Sequence, residues 1–319
     1  MTPMFGCRAS KVFLDALLEI CIMDELSENR MPLPDLSNKE GIIDLIVERL
    51  GHVPIDYEER IEFIRDKNGA TDRWLAAGVI LLIHYHEEAG REGQFLLQLI
   101  KRSSIVPQPG DISCPGGMLH PVADRLLKYL ISSGLTQIIQ GKARSLARAR
   151  GTKTLDHICL FLTNALREAW EEVRVNPLNI RFLGALPSRE LYVFSRIIFP
   201  VVGFVRRDWT FQPNREVERI VEIPLKAFFD KDNYGTLIVE IETPIPFRQH
   251  VEQIRDFPCL LFTPPGGSEE ILWGATMSII TNFLEIVFGF HVPEERSNRV
   301  IRKSLRSDYA TGNHDPTLR

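Results

Sequence analysis

The sequence predicts an α/β protein in which helices sandwich a mixed sheet, with a helical extension at the N-terminus. Three observations carry this. Before about residue 72, apolar residues recur at helical spacing. From Ala76 the pattern changes to two apolar runs separated by a charged turn, the mark of a hairpin of buried strands. Strand-like runs then mix with long helical segments, which suits a sheet covered on its faces by helices.

The elements follow in order. Val12, Phe13, Ala16, Leu17 and Ile20 place an amphipathic helix at about 10–23, and a second follows at 39–50, opened by Ser37 or Asn38 as its cap. The proline-bearing "NRMPLPDLSN" between them is a linker, and "DYEERIEFIRDKNG" is a third, charged helix closed by Gly69. "AAGVILLIHYH" and "GQFLLQLIKR" form the hairpin. "RFLGALPSRELYVFSRIIFPVVGFVRR" supplies two or three strands, and "GTLIVEIETP" with "FPCLLFTPP" another pair. Long helices are expected at about 164–174 and at "WGATMSIITNFLEIVFG", which ends at Gly289. After Pro293 the chain is polar and reads as a poorly ordered tail. The organisation is therefore an extension over 1–72, a main domain over 73–292 and a tail over 293–319.

Bulk properties exclude several classes. Charged residues make up 25% and apolar residues 44% of the 319, which is ordinary for a globular protein and unlike a disordered or membrane chain. A formal charge of -4 and a pI near 6.1 lack the basic excess of nucleic-acid-binding domains, so no nucleic-acid partner is expected. The longest apolar runs fall short of a bilayer span, so no membrane partner is expected either. The five cysteines (Cys7, Cys21, Cys114, Cys159, Cys259) are odd in number and lack a CxxC pair, which indicates neither a disulfide framework nor a zinc site. The expected setting is reducing and cytoplasmic. Asp15, Glu19 and Asp24 interrupt the N-terminal apolar patch, unlike a secretory or transit segment, and "PTLR" is not a peroxisomal tripeptide of the SKL type. The sequence leaves a homodimer open.

The chemistry lies in "TNALREAWEEV", residues 163–173, where Glu168 projects beside both Glu171 and Glu172 if the segment is helical. Like charges at that spacing cost about 0.2–0.5 kcal/mol per pair in water and more when desolvated. No local partner is evident that would offset this. Hard oxygen ligands gathered in this way suit Mg²⁺ or Mn²⁺. In isolation the segment also reads as the acidic end of a surface helix. Its company changes that: "PGDISCPGGML", residues 109–119, supplies a turn whose glycines let backbone approach another group closely.

Together these stretches resemble the box of the Nudix hydrolase superfamily, a glycine loop followed by a helix bearing Arg-Glu-x-x-Glu-Glu. Gly117 matches the loop glycine, and Arg167, Glu168, Glu171 and Glu172 match the helix. The flanks "RSS…PGDISCPGG", "FLGALPS", "FPVVGFV", "FQPNREVERIVEIPL" and "LWGAT" look like the coenzyme A pyrophosphatase branch, in the same order, over about residues 74–289. The resemblance implies a Nudix-type α/β/α sandwich and water attack on a small-molecule diphosphate linked to another moiety, coenzyme A or a derivative above all. It implies Glu168, Glu171 and Glu172 as ligands of Mg²⁺ or Mn²⁺ and Arg167 as the residue that orients a carboxylate. Glu216, in "NREVE", would ligate metal or act as general base. Amides at Gly116 and Gly117 would hold the metal-bearing helix, and Arg102 would contact phosphate, although a strand-end surface charge explains Arg102 as well.

Four departures stand against this. The box carboxylate six residues after the loop glycine is Ala123 here, with Asp124 beside it as a possible substitute; this weakens the expected support of Arg167. An insertion, about residues 125–160, separates loop from helix, and its Lys142, Arg144, Arg148, Arg150 and Lys153 read either as a solvated face or as a patch for substrate phosphates. The glycine that follows the glutamate pair is Arg174. A basic residue of the coenzyme A motif is absent from "SIVPQ". A Nudix fold that binds a nucleotide or a protein without turnover is the competing reading. His84 and His86 share a strand face but have no third ligand nearby in sequence, and Cys114 has no evident base partner.

Overall fold

The computed structural model describes residues 35–305 and Tyr309, apart from 69–73, 88–92, 135, 192–193, 242–253 and 295–296. The helix expected over 10–23 and the closing Gly69 lie outside these residues. The described chain begins with α1 (Lys39–His52), whose first turn is capped by the Asn38 side chain accepting from the Gly41 N–H. Ile42, Ile43, Ile46, Val47 and Leu50 fall on one face of α1 and are buried. In α2 (Tyr57–Lys67) the charged face is outward, and Tyr57 alone is fully buried. Its hydroxyl donates to the Pro200 carbonyl at 2.6 Å, and its ring meets Phe161 and Phe199 edge-on at 5.7 and 5.0 Å. The two helices thus share one hydrophobic core with the sheet.

That sheet opens with β1 (Leu75–His86) and β2 (Gln94–Arg102), the antiparallel hairpin, followed by two short strands, β3 (Ile112–Ser113) and β4 (Gly116–Met118). The insertion folds as α3 (Ala123–Ser132) and α4 (Gly141–Ala149) before the long α5 (Thr152–Val173), and β5 (Ile180–Ala185), β6 (Arg189–Leu191), β7 (Arg196–Val205) and β8 (Val217–Pro224) complete the first sheet. Its order is β3-β2-β1-β7-β5, with β4 on β1, β6 on β7 and β8 on β2. Only β1 with β7 is parallel among these pairs, so the sheet is mixed as expected.

The second expected strand pair is present and antiparallel, and it lies in a sheet of its own. β9 (Tyr234–Ile241), β10 (Ile254–Phe262) and β11 (Glu270–Leu272) form a second sheet rather than extending the first; then come α6 (Gly274–Phe288), ending at the left-handed Gly289, and β12 (Val300–Leu305). The tail is therefore not disordered over 300–305: β12 pairs in parallel with β9, whose backbone satisfies its polar groups. Lys303 and the Tyr309 hydroxyl both engage Asp111, and the Gln108 N–H donates to the Tyr309 carbonyl at 2.7 Å, so the tail fastens the loop between β2 and β3. The two sheets are joined by Glu270, which pairs with Lys101 at 3.3 Å and with Arg219. No helix among the described residues is long and apolar enough to cross a membrane.

The insertion's cations are largely engaged within the protein. Lys142 pairs with Glu48 at 2.5 Å, and Lys153 with Glu62 at 2.7 Å and Glu58 at 3.3 Å. One guanidinium nitrogen of Arg150 donates to the carbonyls of Leu50 and Gly51 at 2.7 and 2.8 Å, closing the C-terminal end of α1. These contacts favour a structural reading of the basic cluster over phosphate binding. Arg150→Ala is expected to lower unfolding free energy by about 1.5–3 kcal/mol, because charged donors leave two part-buried carbonyls. Urea denaturation measures it, and an unchanged midpoint would remove Arg150 from the clamp.

Candidate functional site

The site begins where β4 turns beside β1. Gly116 has φ 152°, and a Cβ there would lie 2.5 Å from the Gly78 carbonyl oxygen. A Cβ on Gly117 would lie 2.6 Å from the Glu168 carboxylate carbon. Gly116 must lack a side chain for β4 to lie against β1, and Gly117 for β4 to meet α5. The depth of α5 is set by Asn164, which is fully buried: its Oδ1 accepts from the Gly78 N–H at 2.6 Å, and its Nδ2 donates to the Met118 carbonyl at 3.1 Å. Sequence reasoning missed Asn164; an amide inside an apolar helical run was the available signal.

One turn further, Arg167 gathers the acidic groups. Its Nε donates to Asp124 Oδ1 at 2.7 Å and its Nη2 to Asp124 Oδ2 at 3.2 Å; Nη2 also lies 2.9 Å from Glu168 Oε1, and Nη1 donates to Glu171 Oε1 at 3.2 Å. Asp124 is wholly buried and also accepts from the His120 N–H at 2.7 Å. Two expectations are corrected here. Ala123 does not deprive Arg167 of its carboxylate, because the adjacent Asp124 takes that place. The crowded glutamates do have a local partner, Arg167, which separates Glu168 from Glu171.

Glu172 points the other way, inward. It is 6% exposed, and its Oε2 accepts the Gly116 N–H at 3.0 Å. Burial pushes its pKa up to about 8, with Glu168 and Glu216 adding to the rise while Gly116 and Arg102 oppose it. Burial also raises Glu168, against the pull of Arg167. Glu171 is the outlying member, its side chain 51% exposed. Arg102, at the end of β2, donates through Nε to the Pro107 carbonyl at 2.7 Å. Glu216 is exposed, but its backbone is fixed: its N–H donates to Asn214 Oδ1 at 2.8 Å and its carbonyl accepts from Ser103 at 2.9 Å. The Asn214 N–H in turn donates to the Glu172 carbonyl at 2.9 Å, which ties this loop to the end of α5.

The structure therefore brings Gly116, Gly117, Glu168 and Glu172 into contact, sets Arg102 and Glu216 within electrostatic reach, and leaves Glu171 on the outer side with Arg167. Arg174 closes α5 in the left-handed region at φ 59°, its N–H donating to the Trp170 carbonyl, so an arginine occupies the conformation that glycine usually supplies. Such a residue costs roughly 1–2 kcal/mol of backbone strain, but the helix still ends there. Cys114 is buried and its thiol is pushed up to about 12 by burial and by Glu172, which leaves no thiolate for nucleophilic attack near neutral pH.

No family model matches the chain. An uncharacterised Nudix hydrolase of Pectobacterium atrosepticum is 39% identical over 81 residues, which cover 25% of this chain and 42% of that protein. A peroxisomal coenzyme A diphosphatase of Caenorhabditis elegans is 26% identical over 184 residues, 57% of this chain and 61% of that protein. The chain thus spans less than two thirds of the length of either curated relative. A solved MutT/nudix family protein from Enterococcus faecalis is similar over 73% of this chain and 72% of its own, at 15% identity with a TM-score of 0.37.

Proposed function

We propose that this chain, a relative of the Nudix hydrolases with coenzyme A diphosphatase-like kin, is a divalent-cation-dependent diphosphatase acting on coenzyme A or a derivative of it. The observation that carries the reading is Glu172. This deeply buried carboxylate, in the field of Glu168 and Glu216, accepts one backbone N–H bond and forms no ion pair among the described residues. Ionising it inside the protein is unfavourable unless a cation shares the site. The donor set is all hard oxygen, which fits Mg²⁺ or Mn²⁺. Glu168 and Glu172, with Glu171 at the rim, would hold the ion, which when bound supplies neutralisation of diphosphate charge and a lowered pKa for water.

The chain's own residues do the rest. Gly116 fixes one oxygen of Glu172, and the pair of Asp124 and Arg167 holds Glu168 and Glu171 in place, so the carboxylates are oriented before substrate arrives. Arg102 presents positive charge towards the diphosphate from the end of β2. Glu216, exposed and on a fixed backbone, accepts the proton of the attacking water, whose oxygen bonds to phosphorus as the bridging P–O bond breaks. A non-catalytic Nudix fold would be favoured by a missing carboxylate at Ala123 and by a disrupted end of α5. Asp124 and the left-handed Arg174 offset both.

The test is a panel of coenzyme A, its thioesters and nucleoside diphosphate conjugates with Mg²⁺ or Mn²⁺. Release of 3′,5′-ADP from coenzyme A is expected, abolished by EDTA. Tight binding without any product would instead support the non-catalytic fold.

A further inference from the structure

We propose that His84, His86 and Asp208 form a second metal site, separate from the glutamate cluster, that takes a borderline transition-metal dication of the Zn²⁺ type. The two histidines are alternate residues at the C-terminal end of β1 and so share one face of the sheet. β7 runs parallel beside β1 with Val205 opposite His84, so the chain leaving β7 carries Asp208 to the same end of the sheet. There Asp208 Oδ1 lies 2.9 Å from His84 Nε2, and the ligand atoms of all three residues lie within 4.8 Å of one another. Among the described residues this is the one group of three such side chains drawn together in this way.

Donor chemistry separates the two sites. Two imidazoles and one carboxylate with a fourth position open to water make a tetrahedral set suited to Zn²⁺, whereas an all-oxygen set suits Mg²⁺ or Mn²⁺. Bonds of 2.0–2.1 Å about a tetrahedral centre put ligand atoms roughly 3.3 Å apart, so atoms that already lie within 4.8 Å of one another need to close by at most about 1.5 Å. His86 and Asp208 are exposed and can supply it by side-chain rotation. The sites are also distant. Gly78, which touches the carboxylate helix through Asn164, lies six residues before His84 on one strand, or roughly 20 Å.

The site has a mechanical consequence. Asp208 lies near the start of the connection between β7 and β8, which runs over 206–216, and Glu216 ends it. Trp209 packs on His84 with ring centroids 6.4 Å apart and on Phe211 at 4.4 Å. A metal ion joining Asp208 to the end of β1 therefore pins the near end of the segment whose far end presents Glu216.

Cobalt titration of the full chain tests this, with saturating Mg²⁺ present to occupy oxygen-only sites. One equivalent of Co²⁺ is expected to give visible absorption of tetrahedral intensity, displaced by Zn²⁺. His86→Gln and Asp208→Asn, both at exposed positions, are expected to weaken Zn²⁺ binding at least about 100-fold while far-ultraviolet circular dichroism stays unchanged. Absence of the band in the unsubstituted chain, or Zn²⁺ affinity unchanged in both variants, overturns the site. Because the readout is binding rather than hydrolysis, it stands or falls independently of the diphosphatase reading.

Discussion

Glu172→Gln is expected to lower turnover by at least about 10³-fold, because it removes a charge placed to hold the cation, and at the same time to stabilise the metal-free protein above pH 6. The opposed signs follow from one fact. In the folded protein the Glu172 carboxyl titrates near 8, pushed up first by burial, against an ordinary value of 4.5. Between those two values the folded state keeps a proton that the unfolded chain has released, so stability falls as pH rises across that window, by up to about 1.36 kcal/mol per pH unit. Glutamine cannot ionise, so the variant should lack this slope. A divalent cation that binds the ionised site restores stability at pH 8 by mass action in the unsubstituted chain and should do much less in the variant. Urea denaturation at pH 5.5 and pH 8, with EDTA or with Mg²⁺, reads all of this. An unsubstituted chain with no loss of stability between those pH values, or an equal Mg²⁺ effect in both proteins, would sink the proposed role of Glu172.

What could be read from the sequence was what is local. The glycines at 116 and 117 and the glutamates at 168, 171 and 172 are close in sequence within their own segments, so a turn and a helix face announced themselves. Strands β1, β2 and β7 were visible as apolar runs because both faces of their central residues are buried. What stayed hidden depends on contacts between distant segments. Asn164 matters only because Gly78 lies against it, 86 residues earlier in the chain. Asp208 becomes a neighbour of His84 only through the parallel pairing of β1 with β7. The strand in the tail alternates between exposed and half-buried residues, so its composition is too polar to reveal pairing with β9. The long α5 was foreseen over its second half alone, since the basic insertion masked its start at Thr152.

Asp124→Ala should cost about 3–5 kcal/mol of stability, the penalty for removing one partner of a buried ion pair. The Asp124 side chain is fully buried and that of Arg167 only 17% exposed. Burial works against the Arg167 charge, and the bond to Asp124 with the fields of Glu168 and Asp124 more than reverses this, holding its pKa above the ordinary value. Without Asp124 the guanidinium retains Glu168, Glu171 and the Met118 carbonyl but loses the two bonds that fix its Nε and Nη2. Turnover should therefore fall by a further 10–100-fold in whatever protein remains folded, the usual effect of losing a partner that orients a ligand. Two additional variants separate position from charge. Adding Ala123→Asp to Asp124→Ala should not rescue either property, because neighbouring residues on a helix project about 100° apart. Combining Asp124→Leu with Arg167→Met should recover most of the stability, since an apolar pair can replace a buried ionic one, but not the turnover. If that double variant were as active as the unsubstituted chain, Arg167 and Asp124 would be packing residues only; if Ala123→Asp rescued the single variant, Asp124 would not be the carboxylate that Arg167 requires.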